Sequence, residues 1–135
     1  MPVNEIQSRI AEELEKIPPF GQIREAWRLE LAKRAKVQYL EHGEEVFKAG
    51  QASHDHCYLI MQGQIELFSV AEKQSTLVDV CTAGECFGLR SLITQEAYSL
   101  TARVRNEALL YALPTSIMRQ IMQEEGSIAL HFANM

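Results

Sequence analysis

The chain has 135 residues, is 47% hydrophobic and 23% charged, and carries a net charge of −5. That length suits one domain, and that composition supplies enough apolar surface to offset ordering entropy, which excludes intrinsic disorder. No apolar run approaches the roughly 18 residues of a membrane span, so no membrane association is expected. The first residues, MPVNEIQSRIAEELEK, lack the basic and apolar segments of a secretory signal. Cys57, Cys81 and Cys86 form no CxxC pair, so a reduced, cytoplasmic protein is the simplest reading. Residues 1–36 hold seven Lys/Arg against six Asp/Glu, whereas residues 37–135 hold six against twelve. An acidic body is a poor match to a phosphate lattice, so no direct nucleic-acid partner is expected, although a small anion needs only one local cradle.

Val3, Ile6, Ile10, Leu14 and Ile17 recur at steps of three and four and predict a helix over 3–17, ended by Pro18-Pro19. A second helix is predicted from Ile23 to Lys36, with Trp27, Leu29, Leu31 and Ala35 on its apolar side. Short strand-like runs then follow. They begin at Val37, Tyr39, Val46 and Phe47, continue with a hairpin over 57–70 around Gln62-Gly63, and include Leu77–Cys81. Two last runs, Leu100–Arg105 and Ala108–Leu113, are divided by Asn106-Glu107. Seven or eight short strands at this spacing predict a mainly β jelly-roll barrel with flanking helices. A short apolar stretch at Leu89–Ile93 interrupts them. After Pro114, Ser116 is read as the N-cap of a helix reaching Glu125, with Ile117, Ile121 and Met122 on its apolar face. Gly126 breaks the pattern and Ser127 caps a last helix that stops without a C-cap signal, so the chain is expected to continue into further domains. The expected organisation is a helical segment 1–36, a barrel 37–114 and C-terminal helices 115–135.

Four pieces in order carry a family resemblance. They are Gly43-Glu44-Glu45-Val46-Phe47 with Ala49-Gly50; Cys57-Tyr58-Leu59-Ile60 with Gly63 and Ile65-Glu66-Leu67; Gly84-Glu85-Cys86-Phe87-Gly88; and Ser99-Leu100-Thr101-Ala102 followed by Leu109–Pro114. Over roughly 20–135 this order resembles the cyclic-nucleotide-binding domain family, of catabolite-activator and protein-kinase-A regulatory-subunit type. The resemblance implies a non-enzymatic regulatory sensor in signal transduction, with cyclic AMP or cyclic GMP as the ligand class. It also implies a homodimer formed through the C-terminal helices, with Gly126 as a hinge. Segment 84–102 becomes the phosphate-binding cassette, and the candidate site residues are Cys86, Phe87, Gly88, Leu89, Arg90, Ser91, Tyr98, Ser99 and Thr101. Glycines 84 and 88 suit close backbone approach, and a helix starting near Leu89 would aim amide N–H groups at an anion.

The family completes this site with a Glu directly after Phe-Gly, for the ribose 2′-hydroxyl, and an Arg that pairs with the cyclic phosphate. Here the first position is Leu89 and the second, aligned without gaps, is Tyr98. Losing a charge-assisted bond to a buried anion costs about 1.5–3 kcal/mol, so a cyclic nucleotide or other small anion is expected to bind with reduced affinity or in an altered mode. Arg90, or Arg103 and Arg105 on one strand face, are the candidates for a relocated clamp. This version of the cassette resembles the family's degenerate modules found N-terminal to other regulatory domains, and a ligand-free role in dimerisation is the alternative.

Two other chemistries are weaker. His54-Asp55-His56-Cys57 suggests a cupin-like metal site, but no carboxylate follows before Glu66 and the expected further His slot falls near Phe87, so no metal is assigned. Cys86 at a helix N-terminus suggests a thiolate, yet no motif ties His42, His54, His56 or His131 to it as a base.

Overall fold

The computed structural model describes residues 4–89 and 96–133. The backbone divides into two compact units, residues 36–112 and a second unit of 1–35 with 113–135. The architecture is mainly antiparallel β with flanking helices.

The helical unit begins with α1, Glu5–Glu15, closed by a capping box in which Asn4 accepts from the Gln7 amide and the Gln7 side chain accepts from the Asn4 amide. Ile10 and Leu14 are buried, but Ile6 is 68% exposed. The predicted apolar stripe therefore buries only its second half, and Val3 lies outside the described residues. A 3-10 turn at Phe20–Gln22 leads to α2, Glu25–Arg34, which buries Leu31 and Ala32. α3 spans Thr115–Glu124 and α4 spans Gly126–Ala133. Both start two residues before the expected position. Pro114 rather than Ser116 precedes α3, with no side-chain cap, because its fixed φ already suits a helix entrance. Within this unit α1 packs on α2, α2 on α3, and α3 on α4. Arg24 and Trp27 grip one carboxylate: Arg24 pairs with Glu124 Oε1, and the indole Nε1 donates to Oε2 at 2.8 Å. The Phe20 and Phe132 rings meet at 6.3 Å.

The β unit has strands β1 Lys36–Leu40, β2 Glu45–Phe47, β3 His56–Ala71, β4 Gln74–Cys81, β5 Cys86–Phe87 and β6 Thr101–Pro114, whose last two residues fall in the helical unit. Their hydrogen-bonded order is β1-β6-β3-β4, with β2 on β6 and β5 on β3. Among the described residues the ladder is open at β1 and β4. β1 pairs with the far half of β6, from Lys36 opposite Ala112 to Leu40 opposite Ala108, while β2 takes the near half at Ala102 and Arg103.

Two predicted hairpins are single long strands. Gln62-Gly63 lies inside β3, and Asn106-Glu107 inside β6. Gly63 has φ +95°, and a Cβ there would sit 2.1 Å from the Glu107 carbonyl oxygen. The glycine permits a close backbone approach to β6 instead of turning the chain. Asn106 and Glu107 are polar because they are exposed between the segments that β1 and β2 cover. The real turn follows at Glu72-Lys73, with φ +51° and +66°, and joins β3 to β4 as a two-residue loop.

The core of this unit gathers Phe47, Tyr58, Ile60, Ile65, Phe87, Tyr98, Val104 and Leu110. Gly63→Ala should destabilise the protein by about 2–4 kcal/mol, since it adds left-handed strain to a backbone clash. Urea unfolding checks this, and a loss below 0.5 kcal/mol would contradict the tight crossing.

Candidate ligand site

The site is built where β2, β3 and β5 present aromatic rings to the segment that leads into β6. β5 is only two residues long, with Cys86 opposite Leu59 and Phe87 opposite Tyr58. Just before it, the Glu85 carboxylate accepts from the Thr82 amide and hydroxyl and closes the 82–85 turn. Just after it, Gly88 has φ +71°, and a Cβ there would come within 3.2 Å of both the Phe47 and Tyr58 rings. Only glycine passes that point without displacing a ring.

Tyr98 is buried and stacks on Phe47, with centroids 3.7 Å apart and planes 8° from parallel. Its backbone bonds both ways to the preceding turn: the Gly50 amide donates to the Tyr98 carbonyl at 2.8 Å, and the Tyr98 amide to the Gln51 carbonyl at 2.9 Å. Its hydroxyl accepts the His54 amide at 2.9 Å, and His54 Nδ1 lies 2.7 Å from the Tyr58 hydroxyl. Tyr58 and Phe87 stack at 5.3 Å, and Phe47 lies 6.0 Å from Phe87. Burial pushes both phenols, Tyr58 and Tyr98, upward in pKa.

Beside this cluster lies a hollow of about 180 Å³, lined among the described residues by Phe47, Leu67, Gly88, Leu89, Tyr98, Ser99 and Leu100. Four of the residues expected at the site therefore meet there: Gly88, Leu89, Tyr98 and Ser99. Cys86, Phe87 and Thr101 do not line it. Phe87 belongs to the aromatic cluster, and the Thr101 hydroxyl accepts the Ala49 amide at 3.0 Å. Arg90 and Ser91 lie outside the described residues, as do Leu92, Ile93 and most of the short helix expected from Leu89. Phe47, Leu67 and Leu100 line the hollow without having been singled out as site residues. Phe47 stood in the quoted GEEVF motif, whereas nothing in local spacing marks Leu67.

The other candidates take structural positions. Arg103 lies 4.0 Å from Glu45 and 4.9 Å over the Phe68 ring, and Arg105 reaches Gln64 at 3.4 Å. Neither is among the described residues that line the hollow. The strand turns their face outward while Val104 faces the core. Cys86 is buried instead of lying at a mouth, and desolvation holds its thiol well above the usual range. Burial likewise raises Cys57 to about 12 and Cys81 to about 11. His56 is lowered, chiefly by burial. Among the described residues, no three His, Cys, Asp or Glu side chains are placed to hold a metal ion.

The thiols set a pH dependence. Folded thiols keep their protons above pH 9, the ordinary thiol value, where the unfolded chain releases them. Stability should therefore fall as pH rises from about 9 towards 11. In native protein at neutral pH, Cys57, Cys81 and Cys86 should react with a thiol reagent far more slowly than in urea. Fast labelling of any of them without denaturant would contradict this burial.

Residues 37–125 match the family model of the cyclic nucleotide-binding domain. No curated protein matches the chain in sequence. Among solved structures, the chain is similar to the sensor domain of the transcriptional regulator DNR from Pseudomonas aeruginosa. That similarity has a TM-score of 0.84 at 18% identity and covers 97% of this chain and 88% of that one. It is also similar to the regulatory domain of Toxoplasma gondii protein kinase A solved with cAMP, with a TM-score of 0.83 at 15% identity, covering 96% and 50%. A third is the regulatory subunit of a cAMP-independent protein kinase A from Trypanosoma cruzi bound to guanosine, with a TM-score of 0.75 at 18% identity, covering 88% and 44%. The chain thus spans about half the length of the two kinase subunits. With a family model covering well over half its length and the same β-roll fold, the chain belongs to the cyclic nucleotide-binding domain family.

Proposed function

We propose that this chain is a non-enzymatic, cytosolic regulatory sensor whose ligand site is the hollow between Gly88 and Leu100, and that it binds cyclic AMP and cyclic GMP weakly or in an altered mode. The observation that carries this reading is the pairing of a ready-made hollow with Leu89 and Tyr98 on its wall. These residues stand where the family's resemblance puts the ribose-binding Glu and the phosphate-binding Arg. An anion entering here meets aliphatic and aromatic carbon on the described walls, and the missing charge-assisted bond weakens binding about tenfold or more. The similar structures carry cAMP in one case and guanosine in another, so both a cyclic nucleotide and a nucleoside are candidate ligands. Through the coupling of two states by differential affinity, ligand occupancy would pass to an output partner.

Restoring the missing pair tests this. Leu89→Glu with Tyr98→Arg should raise cyclic-nucleotide affinity at least tenfold by calorimetric titration. A folded double variant with no gain would remove these two positions from the site.

The second reading is ligand-free association through the C-terminal helices. Ile128 and Phe132 are buried, and among the described residues of α4 only Leu130 remains a large exposed apolar side chain, at 66%. If α4 forms a dimer contact, Leu130→Asp should convert a dimer to a monomer in sedimentation. An unchanged mass would exclude that surface.

A further inference from the structure

We infer that the free edge of β4 is a self-association surface, on which a second copy of this chain pairs strand to strand. The hairpin of β3 and β4 turns at Glu72-Lys73, and every residue from Val70 to Asp79 is exposed. Among the described residues the ladder ends at β4, so one side of that strand carries backbone groups with no strand beside them. In a two-residue hairpin the pair flanking the loop is hydrogen-bonded and the next pair is not. Ala71–Gln74 and Ser69–Thr76 are therefore bonded pairs, while Val70–Ser75 and Phe68–Leu77 are not. Ser75 and Leu77 thus turn their N–H and C=O groups outward. Natural sheets blunt such an edge with charge, proline or a bulge. The stretch Gln74–Val78 has no charge and no proline. Blunting begins only at its far end, where Val78 is bulged between the pairs Leu67–Asp79 and Phe68–Leu77, and Asp79 Oδ1 accepts the Val80 amide at 2.8 Å.

That open stretch is self-complementary. Antiparallel pairing about a two-fold axis at Thr76 sets Ser75 opposite Leu77 of the second copy, so the outward-facing residues exchange N–H···O bonds in both directions. The same register brings the Lys73 end of each strand to the Asp79 end of the other, cation to anion on both sides. The side chains agree with it. Phe68, Val70 and Leu77 share one face of the hairpin, and Val70 and Leu77 are each 47% exposed. Pairing continues that face into the second copy and joins two apolar strips into one. A contact through one short strand is small, which places the dimer in the weak, concentration-dependent class.

Sedimentation of the full chain at about 5–500 µM should show a monomer–dimer equilibrium. Ser75→Pro removes only an outward N–H, which an edge strand tolerates, and should weaken the dimer about tenfold or more. Lys73→Glu and Asp79→Lys each set like charges against one another across the two-fold axis and should weaken it at low salt. A one-to-one mixture of these two variants should regain it, as a heterodimer with opposite charges at both ends. Both positions are exposed, so these variants decide the matter if Ser75→Pro fails to fold. A chain that stays monomeric throughout overturns the inference, as does a dimer that persists unweakened in folded Ser75→Pro or that the mixture fails to restore. A dimer lost in Leu130→Asp belongs to α4 and overturns it as well. None of these outcomes bears on the hollow as the ligand site.

Discussion

Everything that shapes the hollow depends on one ring. Phe47, the last residue of β2, receives Tyr98 flat on its face, Phe87 and Tyr58 at 6.0 and 6.2 Å, and the edge of His54 at 6.3 Å. These neighbours come from β3, β5, the loop before β3 and the segment before β6. Each aromatic pair contributes about 0.5–1.5 kcal/mol beyond its buried area. Because Phe87 and Tyr98 flank residues 88–97, fixing both on Phe47 fixes the two ends of the cassette. The described walls at Phe47 and Tyr98 are thereby set by packing inside the protein.

This arrangement explains why a tyrosine suits position 98. A guanidinium at that place has to be held by a ligand or a carboxylate, since burying it alone is expensive. A tyrosine instead buries its ring against Phe47 and hands its hydroxyl to the His54 amide. Position 98 thereby stabilises the domain. The cluster's polar atoms close on themselves: among the described residues no buried side-chain nitrogen or oxygen lacks a partner.

The family, the mainly β class and the helical flanks were legible in the sequence because glycine-bearing motifs and periodic apolar runs are local. The errors have a common cause, which is that local signals do not say what a residue is near. Gly63 and Asn106-Glu107 read as turns, yet Gly63 marks where β3 passes the β6 backbone, and Asn106-Glu107 lies in a strand between two short partners. Ile6 fits the helical period but is left exposed. Leu67 lines the hollow through strand pairing far from the cassette in sequence. The thiols looked accessible at Cys86 because a motif gives no burial. Gly88, Leu89, Tyr98 and Ser99 could be placed together from the sequence because the two motif pieces beside them, Gly84–Gly88 and Ser99–Ala102, are local.

The grip on Glu124 has a further consequence. Trp27 is the chain's only tryptophan, and its indole N–H is bonded to a carboxylate at the last residue of α3, just before α4 begins. Indole emission depends on what its N–H touches. The helical unit therefore contains its own optical gauge: any rearrangement that draws the α3–α4 junction away from α2 exchanges a carboxylate for water at that nitrogen and changes the fluorescence without an added label.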